Sequence, residues 1–225
     1  MSKNNVLFER WNELKTIVQD FPEAKELFLH SEDQYLMKYI IKDIPKDFWL
    51  KGRILDIGAG DRALENLLRG SGFKGIYKSL DVDKSVGHDF KDISEVKEKF
   101  DFICLLELIE HLELAEGIKY FELCKELLDD NGCLYISTPN IFHPTYFWSD
   151  PTHIQHYPIK FLYGILKLLG FCNIELYKLI ELPTKKTNIY RSIKSKIRFR
   201  IWRTLGFERA VRIFVKCNKP PAQSS

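Results

Sequence analysis

Apolar runs broken by glycine, proline and clustered polar residues divide this chain into alternating strand and helix signals. Ile54-Leu55-Asp56-Ile57 is a short apolar run that enters Gly58-Ala59-Gly60. A run of that length ending in glycine predicts a buried strand followed by a tight turn. Asp61 then precedes Ala63, Leu64, Leu67 and Leu68, which recur at helical spacing before Gly70 and Gly72. An acid ahead of such a pattern predicts a capped helix. Further strands are predicted at 77–80, 86–89, 100–106, 133–137, 173–182 and 211–216. The 100–106 segment is apolar at nearly every position, as an inner parallel strand covered on both faces should be. Ile118, Phe121 and Leu127 mark one helix, and 161–169 forms another that stops at Gly170. Asp129-Asp130-Asn131-Gly132 reads as a turn between elements.

The segments outside this alternation differ in character. Residues 6–49 read as two or three helices, with Phe8, Trp11, Leu14 and Val18 at helical spacing and Leu27, Tyr35, Tyr39 and Ile40 less regular. Pro22 and Pro45 punctuate them. Between the last two strands, 188–205 reads as an inserted helix with Ile189, Ile193, Ile197 and Ile201 at i, i+4 spacing. The expected organisation is an N-terminal helical cap over 1–49, an α/β domain over 50–219 with a basic helical insertion at about 184–208, and a flexible tail over 220–225. There is no internal repeat and no low-complexity segment.

Charge changes this picture at one place. Residues 184–219 hold twelve Lys and Arg against the single acid Glu208, although the whole chain is only +3. The remainder therefore has 34 − 12 = 22 basic and 31 − 1 = 30 acidic residues, a balance of −8. A basic helix on an acidic body points to an anionic partner, and an anionic membrane surface is preferred to nucleic acid. The five cysteines are scattered and odd in number, so they read as reduced core thiols of a cytoplasmic protein, peripheral to the inner membrane face if the basic helix docks there. No apolar run approaches the ~18 residues of a membrane span, and no apolar stretch after the first residues suggests a signal peptide.

Chemistry enters at Asp56-Ile57-Gly58-Ala59-Gly60. Two glycines flanking one residue let backbone approach a ligand, and Ala63 is a third small position. A carboxylate two residues before the first glycine would repel a pyrophosphate, which disfavours a dinucleotide and hence a dehydrogenase. It suits a ligand that carries an ammonium and a sulfonium. This D-x-G-x-G string resembles the first motif of the class I S-adenosyl-L-methionine (SAM) dependent methyltransferases. The resemblance covers roughly residues 52–180 and 210–217. It implies an α/β, Rossmann-like seven-stranded sheet, parallel with an antiparallel last strand, carrying an N-terminal helical extension. It also implies SAM as cofactor, held by Asp56, Gly58, Ala59, Gly60, Asp81, Val82, Asp89, Phe90 and Leu106. Asp81 lies 21 residues beyond Gly60, at the expected tip of the second strand, where an acid matches a ribose diol. Asp89 is expected against the adenine amino group, and Asp83 and Asp92 are their rivals.

The acceptor side rests on Glu107-Leu108-Ile109-Glu110-His111 and on the loop 141–158. The first string resembles the E-x-x-E-H segment of small-molecule and glycan methyltransferases, and Asp150-Pro151-Thr152-His153 resembles a substrate loop of bacterial glycan-modifying members. His143, His153 and His156, half of the six histidines, fall within this loop, among Tyr146, Phe147, Trp148 and Tyr157. Imidazole titrates near neutral pH, so His111 is the candidate base. Glu107, four residues earlier, would orient it if that turn is helical. His153 is a substrate contact or alternative base. No metal ligand is assigned, although Glu107, Glu110, His111 and a loop histidine could hold Mg, Mn or a similar ion, a pattern resembling the metal-dependent small-RNA 2′-O-methyltransferases. The expected activity is O-methylation of a saccharide or other small-molecule or glycan hydroxyl. RNA 2′-O-methylation and a non-catalytic SAM-binding partner are the alternatives, and the oligomeric state is left open.

Overall fold

The computed structural model describes residues 9–30, 35–182 and 189–221. Phe8, the start of the expected insertion and the last four residues of the expected tail lie outside the described residues.

In chain order the elements are α1 (Trp11–Gln19), β1 (Lys25–His30), α2 (Tyr35–Asp43), β2 (Arg53–Ile57), α3 (Ala63–Gly70), β3 (Ile76–Leu80), β4 (Phe100–Leu106), α4 (Leu114–Leu127), β5 (Leu128–Pro139), α5 (Ile159–Leu168), β6 (Cys172–Leu182), α6 (Ile189–Thr204) and β7 (Arg212–Asn218). The strands form one seven-stranded sheet in the order β1-β6-β7-β5-β4-β2-β3. β7 runs antiparallel to both β5 and β6, and the other pairings are parallel.

Alternation along each strand sends side chains to opposite faces and builds two apolar layers. Leu55, Ile57, Ile103, Leu105, Leu134, Ile136 and Val215 pack under α1, α4 and α5. Ile54, Phe102, Cys104, Tyr135 and Phe214 pack under α2 and α3. α1 comes close to α5 because residue 164 is glycine. A Cβ there would lie 2.6 Å from Leu14 Cδ1. All five cysteines are free thiols and four are buried. No helix among the described residues is long and apolar enough to cross a membrane.

Three elements differ from the sequence expectation. The segment containing Leu27 is an edge strand and not a helix. β1 turns Leu27 and Leu29 toward the second core layer and leaves Phe28 exposed. The N-terminal region therefore contributes to the sheet as well as covering it. Residues 86–89 form no strand, because the Asp83 side chain ties Ser85 into a local turn. Only the Leu80–Phe90 bridge continues the sheet there. The Asp129–Gly132 turn is instead a bulge within β5, with Asn131 at φ 63°. The extra edge strand replaces the missing third one, so the count stays at seven.

Candidate active site

The carboxyl ends of β2, β3, β4 and β5 lie at one edge of the sheet. The β2–α3 turn opens there. Gly58 and Gly60 adopt φ 77° and 48°, conformations in which a side chain is strained. Gly58 N donates to Leu80 O at 2.8 Å, and Gly60 N donates to Asp81 Oδ2 at 2.8 Å. A Cβ on Gly60 would meet nothing within 4 Å, so this side of the turn faces open space. A Cβ on Gly58 would press on Leu108 at 3.1 Å. The narrow fit at Gly58 is thus to Leu108, from the neighbouring strand end. Arg62 takes the third left-handed conformation, φ 60°. Its guanidinium holds Glu65 at 2.7 Å, reaches the Gly87 carbonyl, and lies 3.9 Å from Asp89. The constrained position after Gly60 is therefore 62, and Ala63 simply opens α3, its N–H accepted by Asp61 Oδ1 at 3.0 Å.

Asp56 is buried at the tip of β2 and accepts the Tyr77 hydroxyl at 2.6 Å. Burial pushes its carboxyl up to about 6, with the Tyr77 bond pulling the other way. Asp81 accepts Gly60 N through one oxygen and Asp83 N through the other, at 2.9 Å. It is Asp81, not Asp83, that faces the glycine turn. Val82 is 79% exposed beside it. Asp89 was expected free for an adenine amino group, yet both its oxygens are committed. One takes Lys78 Nζ at 2.8 Å, and the other takes Ser79 N at 2.9 Å and Ser79 Oγ at 3.2 Å. Burial raises this carboxyl, but the Lys78 and Ser79 bonds outweigh it and hold it below the usual range. Asp89 fastens the following loop to β3, where Phe90 is partly buried against the first core layer. Leu106 packs partly buried on the second.

The second group of residues lies past β4. Glu107 sits in the left-handed region, φ 52°. It does not orient His111. Its Oε1 accepts Ser137 Oγ at 2.6 Å and its Oε2 pairs with Arg212 at 3.0 Å. The helical turn that the expectation needed is only the 3₁₀ segment Ile109–His111, and Glu107 lies outside it. The partner of His111 is Thr152. His111 Nδ1 is 3.1 Å from the Thr152 carbonyl and 3.0 Å from its Oγ1, which itself donates to Asp150 Oδ1 at 2.6 Å. A carbonyl can only accept, so Nδ1 carries the proton, and in the neutral ring Nε2 is the acceptor. His153 is fixed in the same way, Nδ1 to Phe147 O at 2.8 Å, and its ring centroid lies 4.9 Å from that of His111.

Glu110 is fully buried beneath the two imidazoles. Its carbonyl accepts Ile154 N and Gln155 N, which clamps the loop onto the 3₁₀ segment Ile109–His111. Its Oε2 accepts Thr138 Oγ1 at 2.9 Å, and its Oε1 has no partner. Burial, followed by the nearby Glu107, pushes this carboxyl up to about 8. Glu110, His111 and His153 each offer a ligand atom, all within 4.8 Å of one another. Of the loop aromatics, Trp148 is 68% exposed, while Tyr146 lies half-buried under the Arg212 guanidinium. Tyr157, the last of the loop's aromatics, belongs to the core with its hydroxyl against Gly117.

The model of the family described as "Methyltransferase domain" matches residues 29–176. The chain belongs to this methyltransferase family. Solved structures agree on the fold. A SAM-dependent methyltransferase from Archaeoglobus fulgidus superposes with a TM-score of 0.63 at 18% identity, covering 84% of this chain and 95% of that one. One from Mesorhizobium loti gives 0.54 at 14% identity, over 84% and 98%. An O-methyltransferase family protein from Burkholderia thailandensis gives 0.56 at 10% identity, over 98% and 71%. No curated protein matches the sequence significantly. The methyltransferase is accordingly a class I, Rossmann-like enzyme, and SAM is the cofactor of its family. The residues fit that cofactor. The turn is open above Gly60, and the Asp56 and Asp81 carboxylates, at the tip of β2 and just past the end of β3, are the residues that would hold a cationic group and a diol, each with lone pairs left beyond the bonds it already accepts.

Proposed function

We propose that this methyltransferase O-methylates a hydroxyl of a saccharide acceptor, with His111 as the base. SAM, when bound, supplies a methyl group on an already activated carbon. What the chain must add is alignment of the acceptor and removal of its proton. The observation that carries the reading is the Thr152–His111 contact. It occupies Nδ1, so that Nε2 is the acceptor of the neutral ring, and holds the imidazole by that one atom just past the carboxyl end of β4. Asp56 and the Gly58–Gly60 backbone hold the amino-acid end of the cofactor, and Asp81 holds the ribose. Trp148, on the loop that carries Thr152 and His153, offers an exposed flat face of the kind on which sugars stack. His156 is exposed on the same loop and can hydrogen-bond a hydroxyl.

A second reading is favoured by one observation, the unpartnered buried Oε1 of Glu110 beneath His111 and His153. Those three residues would hold a divalent ion, which would lower the pKa of a coordinated hydroxyl. That chemistry would also serve a ribose 2′-hydroxyl of RNA.

The test uses purified protein, methyl-labelled SAM and saccharide acceptors. His111→Ala should lower turnover by ~10²-fold or more and leave SAM affinity unchanged. Near wild-type turnover in that variant would remove His111 as the base. Transfer to RNA and to no saccharide would select the second reading.

A further inference from the structure

We infer that α6 and the turn after it form a docking surface for an anionic lipid bilayer, beside the acceptor loop. The described side chains of α6 do not bury their apolar stripe. Ile197 and Ile201 are 55% and 52% exposed, and Leu205, four residues further on, is 66% exposed. They recur at i, i+4 spacing and so share one helix face. Phe207 is exposed in the following turn. Ile197 and Ile201 therefore do not pack on the sheet.

The charge beside this stripe is unneutralised. Arg212, Lys216 and Lys219 of the basic segment pair with Glu107, Asp43 and Asp130. Arg198, Arg200, Arg203 and Arg209 form no ion pair with any described residue. Instead, Arg198 lies over the Phe199 and Trp202 rings and Arg209 over Phe199. An exposed apolar stripe with the unpaired Arg198 and Arg200 on its two sides, each three residues from a stripe isoleucine, matches the acyl–headgroup boundary of an acidic leaflet. RNA would use the cations but would leave Ile197, Ile201 and Leu205 in water.

The opposite side of α6 is fixed to the acceptor loop. The Trp202 ring meets that of His143 at 5.5 Å, and Glu208 N donates to Phe142 O at 2.8 Å. Asn140 at the end of β5 donates to Glu208 at 3.0 Å. A bilayer touching the stripe would thus lie next to the loop that bears His153. That arrangement suits an acceptor carried on a lipid. Docking itself does not depend on the acceptor assignment.

The experiment is co-sedimentation of the full chain with vesicles of equal parts phosphatidylglycerol and phosphatidylcholine, and with phosphatidylcholine alone. Binding is expected to the mixed vesicles only and should fall as salt rises. Arg198→Gln and Arg200→Gln together should weaken it by more than tenfold, taking ~1 kcal/mol for each charge near the surface. Ile197→Ser with Ile201→Ser should weaken it at every salt concentration. Unchanged melting and unchanged S-adenosylhomocysteine binding in both variants would show that the fold and cofactor site are intact. Equal binding to neutral vesicles, no binding at low salt, or wild-type binding by the arginine variant would overturn the inference. So would RNA binding through the same arginines with no vesicle binding. In each case saccharide methylation could still be measured, so the two assignments fail separately.

Discussion

Tyr77→Phe removes one oxygen and should make the stability of this protein depend on pH in a new way. The Tyr77 hydroxyl is the donor to the buried Asp56 carboxylate at 2.6 Å. A hydrogen bond to a charged group contributes about 1.5–3 kcal/mol, against about 1 kcal/mol for a neutral one. Asp56 already titrates at about 6 because burial penalises its charge. With its folded value raised, the stability it lends is complete below the unfolded value, about 4, and is lost as pH rises through about 6. Removing the donor penalises the ionised form further, by about 1 kcal/mol more than the neutral form. The titration should shift up by about one unit. The variant should cost about 1 kcal/mol near pH 5, where Asp56 is protonated in the fold, and about 2 kcal/mol near pH 8. Urea unfolding at the two pH values measures this. In an Asp56→Asn background the pH dependence of the cost should vanish. A Tyr77→Phe cost that is equal at both pH values, with Asp56 present, would refute the pairing as the control on that carboxylate.

Three further outcomes follow from the packing and the site. Gly117→Ala would place a Cβ 2.2 Å from the Tyr157 hydroxyl, and should destabilise by about 1–3 kcal/mol through overpacking, read by thermal melting. Thr152→Val removes the side-chain contact to His111 Nδ1 while leaving the backbone carbonyl in place, so turnover should fall less than in His111→Ala, with SAM affinity unchanged. Thorough chelation should leave saccharide methylation intact if His111 acts alone. Loss of activity restored by one added divalent ion, and lost again in Glu110→Gln, would establish the second reading.

The sequence was most legible where local pattern and tertiary role coincide. The 100–106 run is apolar on both faces because β4 is covered by helices on both sides, and the Gly58–Gly60 turn demands its own residue types. β1 was missed because Lys25-Glu26-Leu27-Phe28-Leu29-His30 is short, its three apolar residues are consecutive and show no alternation, and its edge pairing joins Lys25 to Tyr177 of β6, far along the chain. The 129–132 segment carries turn residues because a bulge uses the same left-handed backbone, here at Asn131. In the site, Glu107, Glu110, His111 and His153 were all visible, but their partners were not. Spacing favoured Glu107 as the orienter, whereas Ser137 and Arg212 take its carboxylate and Thr152 takes the imidazole. Each of those contacts spans 30 or more residues, so no local pattern announces it. Arg62 gave no such signal, because an arginine in the left-handed region carries none of the glycine cue that marks Gly58 and Gly60.

The most direct test of the catalytic reading is chemical. Glycans from cells carrying the wild-type gene, the His111→Ala gene and no gene would be hydrolysed, and their monosaccharides analysed for O-methyl ethers. An O-methylated sugar is expected with the wild-type gene and in neither of the other two. The same sugar at equal abundance with His111→Ala, or no methylated sugar in any of the three alongside methylated RNA in the wild type, would contradict it.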